Sequence, residues 1–287
     1  MRMSAPRLVA TDLDGTLLDP RGRVTPFTRG VLERVWAAGI ETLFVTARPP
    51  RWIDALADAV GGHGYAICAN GAFLYDVNAR RVVRSDLMGV EDVRALVADL
   101  RAAIPHIGFA LEHARGMHRE DAYGAVDLAL AGAGATHGPL DGDDVTAFGG
   151  IGKLLARLHT DDPGADLRPS AETPEGLAFL DRVRDVVGDR AVVNYSGACG
   201  LAEIGPSGVS KASALAAWCE RRGIDASQVW AFGDMPNDVP MLTWAGRSFA
   251  VAGAPPEVRD AATDTCGSND ADGVARALLP LLEDFGT

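Results

Sequence analysis

Residues 9–18 of the chain read Val9-Ala10-Thr11-Asp12-Leu13-Asp14-Gly15-Thr16-Leu17-Leu18. The apolar run before Asp12 predicts a short buried strand that ends abruptly where the acidic residues begin. In open parallel sheets, ligands bind beyond the carboxyl ends of the strands. Two carboxylates placed there, two residues apart, cannot both stay ionised cheaply without a cation beside them. Mg²⁺ suits this position, because it takes oxygen ligands and is often shared with substrate phosphates.

An ordinary turn is the alternative interpretation of this stretch, since Asp-Gly is common in turns. The chain repeats the D-x-D-G pattern of residues 12–15 at Asp270-Ala271-Asp272-Gly273, yet no buried strand is predicted before this second copy. There the acidic residues are expected to lie before the closing helix, where they favour its positive end. The D-x-D-G pattern alone therefore does not distinguish a turn from a metal site. The presence of a buried strand before the pattern distinguishes them better.

A second acidic segment, Gly233-Asp234-Met235-Pro236-Asn237-Asp238, also follows an apolar strand, Val229 to Phe232. Pro236 suits the first position of a helix, with Asn237 and Asp238 in its opening turn. A strand followed by a turn and a capped helix is the alternative, because Asp and Asn are ordinary cap residues. Two strands that each deliver carboxylates to one edge of a sheet predict a shared metal site.

A hydroxyl and a cation accompany these carboxylates. Thr46 ends the second predicted strand, where its hydroxyl and the following N–H could hold a phosphate oxygen. Lys211 lies in the first turn of a helix that Ser210 can cap, and a lysine there is unfavourable with the helix dipole. Phosphate bound beside the helix N-terminus would compensate, and a solvated surface lysine is the alternative.

Strand-like and helix-like segments alternate at both ends of the chain. Thr25-Pro26 predicts the start of the first helix, Thr42 to Val45 a second buried strand, and Val274 to Leu282 a closing helix. This order, with short connections, favours an α/β fold in which a parallel sheet is covered by helices on both faces.

The middle of the chain has a different pattern of predicted strands and helices. Strand and helix candidates are separated there by Gly- and Asp-rich stretches, which predicts an α+β insertion. We therefore expect a discontinuous core formed by residues 1–84 and 193–287, with an inserted domain over residues 85–192. The five histidines of the insertion are assigned mainly to packing or surface roles. Contact with a leaving group is the alternative for some of His113, Arg115, His118 and Arg119, if they face the core.

Composition narrows the class of partner. The chain has 287 residues, 47% of them hydrophobic and 23% charged, with a net charge of −12, which is the balance of a soluble globular protein. Such acidity disfavours nucleic acid and anionic membranes as partners. Four scattered cysteines without a C-x-x-C pair favour reduced thiols and a cytoplasmic location. No uninterrupted signal-peptide core or membrane-spanning stretch is evident, and the oligomeric state is left open.

Taken together, these motifs resemble the haloacid dehalogenase-like (HAD) superfamily of aspartate-nucleophile phosphatases, and more narrowly its Cof-type subgroup, subfamily IIB. The four matching segments are Asp12-Leu13-Asp14-Gly15-Thr16, Thr46-Ala47-Arg48, Lys211, and Gly233-Asp234-Met235-Pro236-Asn237-Asp238. The resemblance implies a Rossmann-like, doubly wound parallel-sheet core and identifies the insertion as a cap domain of the C2B type that selects the substrate.

The resemblance also implies roles for individual residues. Asp12 would attack phosphorus to form an aspartyl phosphate, and Asp14 would act as general acid and then general base. Mg²⁺ would be held by the Asp12 carboxylate, the Asp14 backbone carbonyl and Asp234, with Asp238 as a further ligand or a partner through water. The phosphoryl oxygens would be held by Thr46 and Lys211, with Asn237 orienting the site.

The resulting hypothesis is a Mg²⁺-dependent phosphatase that hydrolyses a phosphomonoester of a small metabolite, a sugar phosphate or a phosphorylated cofactor. A phosphomutase on the same scaffold is the enzymatic alternative. A non-enzymatic signalling module that holds an aspartyl phosphate is the second alternative, against which the large insertion and Asp14 both argue. The substrate itself is not identified by any motif.

Overall fold

The computed structural model describes residues 5–57, 64–124, 134–140, 143–158, 174–195 and 200–283. The chain divides into two compact units, the first formed by Met1–Arg84 with Ser210–Thr287 and the second by Ser85–Val209. The first boundary lies where the sequence placed it, but the second lies at 209/210 and not at 192/193. The reason is a strand at Leu201–Pro206 that pairs within the second unit and that sequence patterning missed.

Fourteen strands are present in the described residues. In chain order they are β1 Leu8–Thr11, β2 Glu41–Val45, β3 Tyr65–Cys68, β4 Phe73–Asp76, β5 Arg81–Ser85, β6 Ile107–His113, β7 Gly116–Arg119, β8 Thr136–His137, β9 Lys153–Leu158, β10 Ala191–Asn194, β11 Leu201–Pro206, β12 Val229–Gly233, β13 Arg247–Val251 and β14 Asp264–Cys266. The α-helices are α1 Pro26–Ala37, α2 Asp54–Ala57, α3 Val90–Ala103, α4 Asp143–Thr146, α5 Pro174–Val187, α6 Lys211–Arg222, α7 Val239–Trp244, α8 Pro256–Ala261 and α9 Gly273–Glu283.

The first unit contains an eight-stranded sheet in the order β14-β13-β12-β1-β2-β3-β4-β5. The six strands from β14 to β3 are parallel, and β4 continues the sheet antiparallel to β3. The central strands β12, β1 and β2 are in register, with Thr11 opposite both Phe232 and Phe44. Their carboxyl ends therefore meet at one edge, and the predicted α/β fold with a parallel sheet is confirmed.

Helices cover both faces of this sheet. Alternate strand residues such as Leu8, Ala10 and Leu43 pack against α6, α7 and α8 in one continuous core. Helices α1 and α9 pack against each other, and α1 also packs against β2. Helix α1 begins at Pro26 as predicted, because the Thr25 hydroxyl accepts a hydrogen bond from the Thr28 N–H at 3.0 Å.

The second unit contains a six-stranded sheet in the order β10-β11-β9-β6-β7-β8. Its strands pair antiparallel except β7 with β8. Helices α3 and α5 pack together, and their buried apolar residues form one core with alternate residues of the sheet, including Phe109, Leu154 and Ile204. This combination of helices and a mainly antiparallel sheet is the α+β arrangement that the sequence predicts for the insertion.

Two sequence expectations concern the environment of the chain. Cys68, Cys219 and Cys266 are free thiols, and Cys199 lies outside the described residues. Within the part of the chain that the structure describes, no helix is both long and apolar enough to cross a bilayer.

Candidate active site

The carboxyl ends of three adjacent strands bring the first group of predicted residues together. Asp12 follows β1, Asp234 follows β12 and Thr46 follows β2, so all three stand at the same edge of the sheet. The Asp12 N–H donates to the Phe232 carbonyl at 3.0 Å, which extends the pairing of β1 and β12 to the acidic residue itself. The sheet register, and not a flexible loop, therefore fixes where the Asp12 side chain starts.

Lys211 connects the two acidic segments. Its Nζ donates to Asp12 Oδ1 at 2.7 Å and to Asp238 Oδ1 at 2.6 Å, with only 2% of the side chain exposed. Ser210 caps α6 and exchanges hydrogen bonds with Ser213, which fixes Lys211 in the first turn. The two carboxylates thus offset the unfavourable helix position of this lysine, and the surface-lysine alternative is wrong.

Three aspartates form a compact cluster. One carboxylate oxygen each from Asp12, Asp234 and Asp238 lies within 4.8 Å of the others. The Asp234 carboxylate rests against Gly15, where a Cβ would come within 2.2 Å of Asp234 Oδ2, and Gly15 has a φ of +78°. Thr16 Oγ1 donates to the other oxygen, Asp234 Oδ1, at 2.5 Å. Gly15 therefore leaves space for the Asp234 carboxylate and Thr16 holds it by a hydrogen bond, in addition to the turn that Gly15 makes in the chain.

Asp238 is held by the backbone. Its Oδ2 accepts the N–H groups of Asp234 and Met235 at 3.1 and 3.0 Å, and its Oδ1 accepts from Lys211. The side chain is fully buried, and a Cβ on Gly233 would overlap it. Asp238 thereby fixes the loop that carries Asp234, and its carboxylate also belongs to the aspartate cluster, so the ligand role and the partner role both stay predictions.

The crowding of charges shifts the protonation of this cluster. Burial raises the pKa of Asp12 well above its usual value, Lys211 opposes that shift, and the charges of Asp238 and Asp234 add to it. Burial raises the pKa of Asp234 to about 6, although the hydrogen bond from Thr16 works in the other direction. Burial alone would lower the pKa of Lys211, but attraction by Asp12 and Asp238 outweighs it and the pKa is raised. Lys211 does not neutralise the cluster by itself.

These residues fit a divalent metal ion. Their donors are carboxylate oxygens that lie within 4.8 Å of one another, as hard cations require, and three carboxylates face the single ammonium of Lys211, so negative charge is in excess when all are ionised. A cation would relieve that excess directly.

Asp14 lies apart from the three buried aspartates. Its side chain is 57% exposed, and Arg48 grips it through two hydrogen bonds, from Nε to Oδ2 at 2.7 Å and from Nη2 to Oδ1 at 2.5 Å. The Thr46 hydroxyl accepts the Arg48 N–H at 3.1 Å, which leaves the hydroxyl proton of Thr46 for another acceptor. The segment Thr46-Ala47-Arg48 therefore contributes an arginine that binds the Asp14 carboxylate, in addition to the predicted Thr46 hydroxyl.

Asn237 also stands at this edge, where its Nδ2 donates to Asn70 Oδ1 at 3.2 Å. Within the described residues, Asn237 Oδ1 is buried without a hydrogen-bond partner. Sequence reasoning assigned no role to Thr16, Arg48 or Asn70, although Thr16 and Arg48 lie inside quoted motifs. The positive φ of Asn70, 56°, is the kind of backbone feature that short Asn-Gly stretches signal.

Comparison with known proteins agrees with this arrangement. The model of the haloacid dehalogenase-like hydrolases matches residues 9–131 and 178–278, which include every site residue described above. The chain belongs to this family. It is 28% identical over 270 residues to pyridoxal phosphate phosphatase YbhA of Escherichia coli, covering 94% of this chain and 96% of that protein.

A second relative is 5-amino-6-(5-phospho-D-ribitylamino)uracil phosphatase YwtE of Bacillus subtilis, 26% identical over 289 residues, covering 96% of this chain and 98% of that protein. The solved structure of the subclass IIB sugar phosphatase BT4131 superposes with a TM-score of 0.72 at 17% identity, covering 96% of this chain and 98% of that one. The predicted family, its subclass IIB fold and the enzyme class of a hydrolase are confirmed.

Two histidines of the second unit, His113 and His118, have packing roles. The His113 ring stacks on Phe148 with centroids 4.0 Å apart. The His118 ring lies between the Thr136 hydroxyl, 2.8 Å from Nδ1, and the Gly138 carbonyl, 3.1 Å from Nε2. Both rings are buried within this unit, as the packing interpretation expects.

Proposed function

We propose that this hydrolase is a Mg²⁺-dependent phosphatase that cleaves a phosphomonoester of a small metabolite through an aspartyl-phosphate intermediate. The observation that carries the proposal is the buried Lys211 bonded to Asp12 beside two further carboxylates at the sheet edge. Phosphoryl transfer depends mainly on positioning and on neutralising charge; this edge supplies fixed side chains, and a cation bound by its carboxylates would supply the neutralising charge.

The first half of the reaction is assigned to Asp12 and Asp14. An Asp12 carboxylate oxygen attacks phosphorus, the bond from phosphorus to the leaving oxygen breaks, and Asp14 gives that oxygen a proton. Asp12 is held by Lys211 and by the strand register, so its nucleophilic oxygen starts from a fixed position. Asp14 is exposed at the same edge, where a leaving group bound outside the sheet is within reach.

The second half returns the enzyme to its starting state. Asp14, now ionised, takes a proton from water, whose oxygen attacks phosphorus and displaces the Asp12 carboxylate. Inorganic phosphate is the product. Thr46 and Lys211 hold the phosphoryl oxygens by hydrogen bonds, and Asn237 orients the loop through Asn70.

Asp12, Asp234 and the Asp14 carbonyl would hold Mg²⁺, with Asp238 fixing the loop that carries Asp234. The ion supplies positive charge that shields the carboxylates from an incoming phosphate and stabilises charge on the phosphoryl oxygens.

The class of substrate is inferred from the relatives. Pyridoxal phosphate and a phosphorylated ribitylaminouracil are the compounds in their names, and both are small phosphomonoesters. A sugar phosphate or a phosphorylated cofactor is therefore the class proposed here, acted on in the cytoplasm. The second unit, Ser85–Val209, is proposed to select among such substrates.

The proposal is tested by phosphate release over a panel of phosphorylated metabolites, with Mg²⁺ and with EDTA. Asp12→Asn is expected to lower turnover by about 10⁴-fold or more, as removal of a nucleophile does. Asp270→Asn is the matched control, because Asp270 begins the second D-x-D-G segment on an exposed turn. Circular dichroism checks that both variants fold.

Three outcomes would contradict the proposed mechanism or the assignment of the protein as a phosphatase. Undiminished turnover in Asp12→Asn excludes the aspartyl phosphate. An isomerised substrate without free phosphate identifies a mutase, and a long-lived phosphoprotein without turnover identifies a signalling module.

A further inference from the structure

The ion pair between Arg48 and Asp14 is more ordered than the exposure of Asp14 would lead one to expect. The Asp14 side chain is 57% exposed, yet both of its oxygens are engaged, whereas the Arg48 side chain that holds them is only 17% exposed. Most exposed ion pairs contribute between zero and about 1 kcal/mol and leave both side chains mobile. Here a largely buried arginine presents its planar fork to a carboxylate at the surface, which restricts the orientation of that carboxylate.

Arg48 is itself held in place. Its N–H donates to the Thr46 hydroxyl at 3.1 Å, and its carbonyl accepts the Ala69 N–H at 2.9 Å. The guanidinium lies beside Gly22, where a Cβ would stand 3.6 Å from Nη2. A side chain that is anchored at its backbone and only 17% exposed has few orientations available, and so has the carboxylate that it binds.

We propose that Arg48 is the positioning residue that aims the Asp14 carboxyl at the leaving oxygen. This inference rests on the proposed function, in which Asp14 gives its proton to that oxygen as the bond to phosphorus breaks. A protonated carboxyl has one O–H donor and further acceptor sites, so it can accept both bonds from Arg48 and still donate its proton to the leaving oxygen. Proton transfer requires heavy atoms about 3 Å apart, which a freely rotating exposed side chain does not maintain.

The test separates positioning of the acid from contact with the phosphoryl group. An aryl phosphate such as p-nitrophenyl phosphate departs as a stable anion and needs no proton, whereas an alkyl phosphate such as glycerol 2-phosphate needs one. For both, kcat/KM reports the steps up to cleavage of the bond to the leaving group. Arg48→Met is expected to lower kcat/KM for the alkyl phosphate about 100-fold, the lower end of general-acid contributions, and that for the aryl phosphate less than about threefold.

Two further variants sharpen the result. Arg48→Lys keeps the charge but loses the two-pronged geometry, so the alkyl-specific loss is expected to persist. In an Asp14→Asn background, Arg48→Met is expected to cause no further loss, because the group that Arg48 aims is already absent.

Arg247 provides the matched control. It holds Asp264 through the same two atoms, Nε and Nη2, at 2.8 and 3.2 Å, with exposures of 27% and 38%, at the β13–β14 end of the sheet. Arg247→Met removes an equivalent clamp away from the site and is expected to leave the alkyl-to-aryl ratio unchanged.

Equal losses on both substrates would overturn the inference and indicate that Arg48 contacts the phosphoryl group or serves the fold. Wild-type behaviour of Arg48→Lys would overturn it in favour of charge alone. Either result leaves the proposed phosphatase intact, since the parent enzyme is active in both. A parent that releases phosphate from neither substrate nor from the metabolite panel overturns the proposed function together with this inference.

Discussion

Replacing Lys211 by methionine perturbs the site most directly, because methionine keeps much of the length and apolar stem of lysine and removes only the cation. Lys211 makes two hydrogen bonds to charged partners, at 2.7 and 2.6 Å, with 2% of its side chain exposed. Hydrogen bonds to charged groups contribute about 1.5–3 kcal/mol each, which gives about 3–6 kcal/mol for the pair. Removing one member of a buried ion cluster costs about 3–5 kcal/mol, in agreement.

Protonation limits this loss and gives it a pH dependence. The pKa of Asp12 is already raised by burial, and loss of Lys211 raises it further because the opposing attraction disappears. A folded state that binds more protons than the unfolded state loses stability as pH rises. The free energy of unfolding of Lys211→Met should therefore fall about 3–5 kcal/mol below the parent at pH 8 in EDTA, and by less at pH 6.

Urea unfolding followed by tryptophan fluorescence measures this directly. All five tryptophans, at positions 36, 52, 218, 230 and 244, belong to the first unit, so the signal reports that unit alone. Far-UV circular dichroism, which also senses the second unit, shows whether the two transitions coincide.

Asp238→Asn provides the discriminating second change. In the parent it removes one charged partner of Lys211 and should destabilise, whereas in Lys211→Met it removes the charge of one of the two buried carboxylates that have lost their cation and should restore about 1–3 kcal/mol. A deficit below 1 kcal/mol for Lys211→Met at pH 8, or no restoration by Asp238→Asn, would refute the argument that Lys211 stabilises the fold by offsetting the charge of Asp12 and Asp238.

Three further changes test other parts of the first unit. Gly15→Ala should weaken Mg²⁺ binding by isothermal titration, because its Cβ would stand 2.2 Å from Asp234, whereas Gly22→Ala has a similar φ of +71° but no such clash and should retain binding. Asp272→Gly should lower the free energy of unfolding by about 1–3 kcal/mol, because Asp272 Oδ1 accepts from two threonine hydroxyls; Asp272→Asn, which keeps an acceptor, should not. Mg²⁺ should raise the Tm more at pH 8 than at pH 5, where protons compete for Asp234, whose pKa is about 6; an equal shift would exclude that competition.

The parts of the fold that the sequence predicted are those with a local signal. Apolar runs that stop at Asp12 or Asp234 predict buried strands, because parallel strands covered on both faces consist of continuous apolar residues. Thr25 and Ser210 mark helix starts for the equally local reason that their hydroxyls accept backbone N–H groups of the next turn.

Other features depend on pairing partners far away in the chain. The edge strand Arg81–Ser85 has four exposed residues of five and shows no hydrophobic alternation, so nothing in its sequence indicates a strand. Strand Leu201–Pro206 was missed as well, which moved the second boundary of the insertion by 17 residues, from 192 to 209. The grip of Arg48 on Asp14 depends on where two loops meet, which no local pattern encodes.

The charge of the site explains how so acidic a chain could bind phosphate. Asp12, Asp234 and Asp238 carry three negative charges against the single charge of Lys211, while Asp14 and Arg48 cancel, so the fully ionised site carries −2 of the net −12. The remaining charges are screened beyond about 8–10 Å at physiological salt. A divalent cation held by these carboxylates would bring the site itself to neutrality.

Binding of inorganic phosphate should therefore require the metal. At pH 8, isothermal titration with Mg²⁺ should detect phosphate binding, and in EDTA the affinity should fall at least about 100-fold, because about 2.8 kcal/mol of repulsion is modest for two like charges near a protein surface. Lys211→Met should weaken binding even with Mg²⁺, since it removes a cation that is proposed to hold the phosphoryl oxygens. Equal phosphate affinity with Mg²⁺ and with EDTA would mean that Lys211 and backbone N–H groups suffice, and would contradict the role assigned to the aspartate cluster.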